Sequence, residues 1–255
     1  MMKSSYLASP ESEHCDPNSN FTMIIPGWNQ NLSTFWANDS ISQFLKHRGG
    51  CVYFMDYTYY GDVFNYFKLV SHFDGVADIL TKKFKQIENF DRQFCFGFSF
   101  GSRLCVEAGI RIGNQKIPRM DLCDPAGPGF DGLYYKDPRL AAKNVACINT
   151  SNLKGTQSYV CHQNYRMGNC GWSQPGDGWG FGLDSHDLCP MFYNAAFDNK
   201  FKPMKFHLCP SYRYANVTPD VALGYLADFD REHIRGDIFI ATAAAPPFAV
   251  INNVI

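Results

Sequence analysis

Apolar and polar positions along the chain fall into two rhythms. Phe21 to Ile25, Cys51 to Met55, Phe94 to Phe98 and Ile117 to Cys123 are short apolar runs; the first, second and fourth close on Pro26-Gly27, Asp56 and Asp124-Pro125. Runs of this length bounded by breakers are the pattern of buried strands. Between them the spacing changes to steps of three and four. Val70, Phe73, Ala77, Leu80, Phe84 and Ile87 mark one face of an amphipathic helix, with Lys82, Lys83 and Lys85 mostly off that face. Trp36 to Lys46 and Phe100 to Gly113 read as further helices, the second following its strand at once. Strand and helix therefore alternate through the first half, which predicts a mostly parallel sheet with helices on both faces. Pro125 to Pro210 is rich in Gly, Asn and Pro and reads as irregular, and Asp237 to Thr242 reads as a late strand ahead of Pro246-Pro247. The organisation expected is a polar arm over residues 1–20 and a single domain over 21–255.

Composition narrows the class. The chain has 255 residues, 45% of them hydrophobic and 16% aromatic, enough for a sizeable core, and a formal net charge of −1 without a long run of one sign. Such a balance gives no basic face for a nucleic-acid partner. Met1 to Asn20 lacks the apolar run of a secretory signal, while the 10 cysteines and the sequons at Asn20, Asn31, Asn38, Asn149 and Asn216 suit an exported protein. Compartment stays open on these grounds.

The chemistry centres on Gly97-Phe98-Ser99-Phe100-Gly101, a G-x-S-x-G turn set between a strand and a helix. Glycines at both ends remove Cβ atoms where strand and helix converge, leaving the serine in a strained turn above the sheet. The N–H of Phe100 would point from the helix N-terminus toward an oxyanion. A serine nucleophile needs a base and a group to orient that base, in the order Ser, acid, His. Asp124 ends the next strand and is the candidate acid. His162, His186, His207 and His233 follow it, and spacing does not choose among them.

Other segments extend the pattern. Asp124-Pro125-Ala126-Gly127-Pro128, Met23-Ile24-Ile25-Pro26-Gly27-Trp28, Asn169-Cys170-Gly171 with Gln174-Pro175-Gly176, Ser185-His186, and Arg235-Gly236-Asp237 through Pro246-Pro247-Phe248 stand in this order. Together they resemble the pancreatic-lipase family, which spans neutral lipases, phospholipases A1 and insect yolk proteins, from about Phe21 to Phe248. The resemblance implies an α/β-hydrolase fold with Ser99 as nucleophile, Asp124 as acid, His186 as base and an oxyanion hole from the Trp28 and Phe100 amides. It implies a lipid or ester substrate at a membrane or lipid surface, no cofactor, and secretion. The family's C-terminal lipid-binding sandwich is not expected in a chain ending at Ile255.

The chain departs from the family at several points. Phe98 and Phe100 replace a His and a Leu around the serine, Ser102-Arg103 stand where a small residue and a His are usual, and Pro26 replaces a His before Gly27. Asp177 and Asp184 occupy the places of the lid-bracketing cysteines, which leaves a very short lid over Gly178 to Leu183. An open site of this kind suits a lipase or phospholipase A1; a non-catalytic storage or self-associating protein on the same scaffold is the second reading. Trp172, Trp179 and Phe181 are candidates for an apolar acyl-binding wall. Cys51, Cys95, Cys105 and Cys123 sit in apolar stretches and read as small hydrophobes. Cys161–Cys170 and Cys189–Cys209 are the disulfide candidates, and the Cys/His spacings match no compact zinc pattern, so no metal is expected.

Overall fold

The computed structural model describes residues 6–7, 15–16, 18–61, 64–87, 89–132, 136–177, 183–204, 208–211, 214–215, 223–226 and 234–250. Among these residues, eight strands form one sheet: β1 (Tyr6–Leu7), β2 (Phe21–Ile25), β3 (Cys51–Phe54), β4 (Gln93–Phe98), β5 (Arg119–Cys123), β6 (Asn144–Asn149), β7 (Gln163–Met167) and β8 (Gly236–Ile240). Their spatial order is β1-β3-β2-β4-β5-β6-β7-β8, with β1 antiparallel at the edge and every other pairing parallel. Within the arm, Tyr6–Leu7 joins the sheet edge against β3, and Cys15 is bonded to Cys51.

Among the described residues, five helices cover the two faces: α1 (Ala37–His47), α2 (Tyr66–Ser71), α3 (Phe73–Gln86), α4 (Phe100–Ile112) and α5 (Leu188–Ala195). Period-two alternation decides which strand residues meet which helices. Phe94, Phe96 and Phe98 of β4 turn to the face of α1 and α5, where Phe96 meets Tyr193 at 4.5 Å and Phe44 meets Phe94 at 5.4 Å between ring centroids. Met23, Ile25, Cys95, Met120 and Leu122 turn to the other face, under Val76, Leu80 and Phe84 of α3 and Leu104 and Ala108 of α4. Each such buried large side chain contributes about 1.5–3 kcal/mol of hydrophobic transfer.

The supposedly irregular middle holds β6, β7 and α5. Strand β7, with the sequence Gln163-Asn164-Tyr165-Arg166-Met167, carries too many polar residues for an apolar-run reading. Its buried amides find partners: Gln163 Nε2 donates to the Ile234 carbonyl at 2.9 Å, and Asn164 Oδ1 accepts from the Cys161 N–H at 3.0 Å, while Gln163 Oε1 is buried without a hydrogen-bond partner. In α5, Pro190 is the third helical residue, where no preceding carbonyl awaits its missing N–H.

All ten cysteines are paired: Cys15–Cys51, Cys95–Cys105, Cys123–Cys189, Cys147–Cys161 and Cys170–Cys209. This corrects both expected pairs and the reading of Cys51, Cys95, Cys105 and Cys123 as free thiols. Cys161 and Cys170 cannot meet because the intervening strand β7 sets them at opposite ends of the sheet. Each instead finds a cysteine at its own end, Cys147 on β6 and Cys209. Cys189, on α5, is carried onto the last residue of β5 and bonds Cys123.

Candidate active site

The chain runs β2, α1, β3 to one side of the sheet, then crosses back to β4 on the other side of β2. Connections leaving β2 and β4 in opposite directions open a crevice at their carboxyl ends, where α/β sheets place ligands. Gly27-Trp28 follows β2 and Ser99 follows β4, so both border this crevice.

Ser99 has φ 54° and ψ −120°, a strained conformation for a residue with a side chain. Its surroundings enforce it. The Ser99 N–H donates to the Cys123 carbonyl at 2.9 Å, and its own carbonyl accepts from Ser102 and Ala126, each at 3.1 Å. The buried Ser102 hydroxyl donates to the Gly97 carbonyl at 2.8 Å. A Cβ at Gly101 would lie 2.1 Å from the Ile25 carbonyl oxygen, and one at Gly97 would lie 2.7 Å from Ser102 Cα. The glycines on both sides of the serine are thus required by close backbone approach.

Asp124 is fully buried, directly after β5. Its Oδ1 accepts from the N–H groups of Thr150 at 2.8 Å and Ser151 at 3.2 Å, and its Oδ2 from the Ser151 hydroxyl at 2.6 Å. The fourth donor is His186 Nδ1, 2.6 Å from Oδ2. An ionised carboxylate only accepts, so Nδ1 carries the imidazole proton and Nε2 is left as acceptor. Ser99 Oγ lies 2.8 Å from that Nε2. The structure therefore brings Ser99, His186 and Asp124 into one hydrogen-bonded line, with Ser99 and His186 7% and 6% exposed.

His186 is held from several directions. Its ring lies 4.8 Å from the Phe98 ring, and its N–H donates to Asp184 Oδ1 at 3.0 Å. Asp184 pairs with Lys154, and its carboxyl is lowered from the ordinary value: burial pushes it up, but the Lys154 hydrogen bond and charge outweigh that. Asp187, beside it, is raised by burial and by the Asp184 charge. Gln174 braces the preceding turn, donating to the Thr150 carbonyl at 2.8 Å and the Met167 carbonyl at 3.0 Å. Ser185 Oγ accepts from the Gln174 N–H at 2.9 Å and donates to Asp177 at 2.7 Å.

The other half of the crevice is formed by the start of α4 and the Gly27-Trp28 segment. Phe100 is the first residue of α4, so no helical carbonyl takes its N–H. A Cβ at Gly27 would stand 3.1 Å from Ser99 Cβ, which puts the Gly27-Trp28 segment against the serine. Tyr57 holds this segment, its buried hydroxyl donating to the Pro26 carbonyl while its ring lies 5.9 Å from Phe100. Burial pushes the Tyr57 phenol far above its usual range, so it stays a donor. Neither Phe98 nor Phe100 covers the serine; both turn into the core, one on each face.

The fold is that of the α/β hydrolases. Strand order and the turn at Ser99 define it. Among solved structures the chain overlaps in part with a protein from Xanthomonas campestris pv. campestris assigned to the alpha/beta hydrolase superfamily: 11% identity, TM-score 0.41, 59% of this chain and 74% of that one. It overlaps likewise with a Pyrococcus furiosus esterase (13%, 0.37, 56% and 66%) and with a lidless a/b serine hydrolase from Xanthomonas campestris (14%, 0.36, 56% and 66%). The chain thus spans just under two thirds of the last two. No protein-family model and no curated protein matches it.

The remaining expected site residues separate. Trp172 is 41% exposed in the turn after β7, with its N–H on the Asn169 carbonyl at 2.8 Å. Trp179, Phe181, His207 and His233 lie outside the described residues, as does 178–182 of the expected lid. His162 faces β6, where its Nδ1 accepts from the Val145 N–H at 3.0 Å. Sequence reasoning left Tyr57 unassigned and passed over Ser151. The Tyr57 signal was available, since an aromatic run directly after a strand end falls at the crevice edge. Ser151 gave none, because the strand that delivers it went unread.

Proposed function

We propose that the chain is a serine carboxylic-ester hydrolase that works by Ser-His-Asp acyl transfer on lipid esters, of the lipase or phospholipase A1 type. The observation that carries this reading is the continuous line from Ser99 Oγ through both His186 nitrogens to Asp124, with 2.8 and 2.6 Å contacts. Nε2 takes the serine proton as Oγ attacks the ester carbonyl, and the Asp124 carboxylate stabilises the imidazolium that forms. The Phe100 and Trp28 amides receive the developing oxyanion. The imidazolium protonates the leaving alkoxide; water, activated by the same His186, then releases the acyl group.

A lipid substrate is supported by aromatic surface beside this crevice. Trp28 packs on Tyr66 at 5.6 Å and Tyr66 on Phe67 at 5.7 Å, and Phe67 is 65% exposed. Full pairing of the cysteines supports an oxidising, extracytoplasmic setting. Hydrolysis of short water-soluble esters, triglyceride emulsions and phospholipid vesicles, each beside Ser99→Ala, tests the reading. We expect turnover abolished in the variant and faster on aggregated lipid than on monomeric ester. Turnover of short esters alone would remove the lipid assignment.

A further inference from the structure

Arg103 stands four residues beyond Ser99, one turn into α4, and its side chain is 3% exposed. A buried guanidinium needs partners for its donors and its charge. Nε donates to the Ala126 carbonyl at 2.7 Å, and an Nη donates to Asp131 Oδ1 at 2.8 Å. The guanidinium lies 4.0 Å from the centroid of the Tyr159 ring and 5.1 Å from that of Phe130. None of these partners belongs to its own helix. Ala126 and Asp131 lie in the loop after β5 that begins with Asp124, and Tyr159 lies in the loop after β6.

The same loops enclose the Asp124 carboxylate. Asp131 Oδ1 also accepts from the hydroxyls of Thr156 at 2.7 Å and Ser158 at 3.1 Å. The Thr156 N–H donates to the Pro125 carbonyl at 2.7 Å. Gly155 closes on the carboxylate so tightly that a Cβ there would lie 2.4 Å from Oδ2, and its N–H donates to Ser151 Oγ at 2.9 Å. Ser151 Oγ in turn donates to Asp124 Oδ2. Arg103 is thus the point where the nucleophile's helix, the acid's own loop and the loop wrapping the acid are fastened together. Ala126 closes the circuit, accepting from Arg103 while its N–H donates to the Ser99 carbonyl.

We propose that Arg103 is a positioning residue for the reaction, clipping the loop after β5 to the loop after β6 so that Asp124 stays aligned on His186. This rests on the hydrolase reading above. Arg103 touches neither His186 nor Ser99 Oγ and acts through Ala126 and Asp131. Its charged and titratable neighbours are Asp131, Tyr66 and, around an adjoining small pocket, Asp74, Glu107, Lys136 and Tyr159.

The test compares Arg103→Gln and Arg103→Lys with a change on the same helix, Arg111→Gln, which breaks ion pairs to Glu107 of α4 and to Asp74 and Asp78 of α3. Soluble-ester kinetics are measured across pH, together with the low-field proton resonance of the His186 Nδ1–H on Asp124. In Arg103→Gln we expect kcat to fall about tenfold or more with KM changed less than about twofold, as for a misplaced catalytic group. The acidic limb of the rate profile should shift as well. The low-field proton should shift or disappear. Arg103→Lys, which cannot serve two loops in a fork, should recover only part of kcat. Arg111→Gln should lose stability and keep kcat, limb and resonance. Should Arg103→Gln, folded, keep wild-type kcat, limb and low-field proton, the proposal is overturned. An inert wild type would instead remove the hydrolase reading and with it the catalytic consequence, while the low-field proton would still decide whether Arg103 holds the pair.

Discussion

At the residue scale the account turns on a few atoms whose placement costs free energy. Ser99 at φ 54° stores about 1–3 kcal/mol of backbone strain, and the contacts that hold it are the Gly97 and Gly101 approaches and the Cys123 and Ala126 backbone bonds. Gly101→Ala would drive a Cβ onto the Ile25 and Pro26 carbonyl oxygens. We expect it to cost about 3 kcal/mol, read as a lower chemical-denaturation midpoint, with activity lost even where the protein folds. Asp124→Asn keeps the shape of the acid and removes its charge. The amide can donate to Nδ1 and so favour the wrong imidazole tautomer, and a loss of about 10⁴ in kcat follows, with KM little changed. A variant with kcat close to wild type would mean that Asp124 does not orient His186.

Elements explain why these residues meet. Ser99, Asp124 and Trp28 each follow a strand of one parallel sheet, so their elements deliver them to the same edge. His186 arrives on a loop and needs anchoring, which α5 supplies: Cys189, three residues on, is bonded to Cys123, the residue before Asp124. This disulfide ties the helix after His186 to the strand before Asp124 across a sequence separation of 66, and loop-closure entropy puts its stabilisation at about 4 kcal/mol. Replacing both cysteines by alanine is expected to lower stability by about 2–4 kcal/mol and to slow turnover at temperatures where the protein stays folded. Unchanged turnover in the folded variant would assign the bond to stability alone. The chain's first half was legible because its strands are apolar runs and its helices keep a strict three-four spacing, and the motif at Ser99 sits at the junction of the two. Strand β7 hid because its sequence mixes buried Gln163 and Asn164 with Tyr165, a half-buried Arg166 and Met167 rather than forming an apolar run, and α5 because a proline interrupts its pattern. The same failure hid Cys147–Cys161 and Cys170–Cys209, since their pairing depends on which end of β7 Cys161 and Cys170 occupy. Asn149 shows the converse limit: its sequon sits at the end of β6, fully buried, with its amide donating to the Thr156 carbonyl at 2.9 Å.

For the whole molecule, a hydrophobic core on each face of the sheet and five disulfides hold the frame, and the sign of its pH response follows from one half-buried histidine. His162 is lowered to about 4 by burial and by the nearby Arg235 and Arg139 charges, and its Nδ1 accepts the Val145 N–H, which requires the neutral ring. Unfolded, this group takes a proton near its ordinary value of 6.5. Between those values the unfolded chain binds more protons, so His162's contribution is full above pH 6.5 and is lost as pH falls toward 4. His162→Gln should flatten that part of the stability–pH curve, measured by chemical denaturation; an unchanged slope would assign it to other groups. Reaction of the purified protein with a fluorophosphonate probe, beside Ser99→Ala and His186→Ala, tests whether Ser99 is an activated nucleophile. Stoichiometric labelling of the wild type is expected, abolished in Ser99→Ala and strongly slowed in His186→Ala. Folded wild-type protein that takes up no label, or label retained in Ser99→Ala, would contradict it.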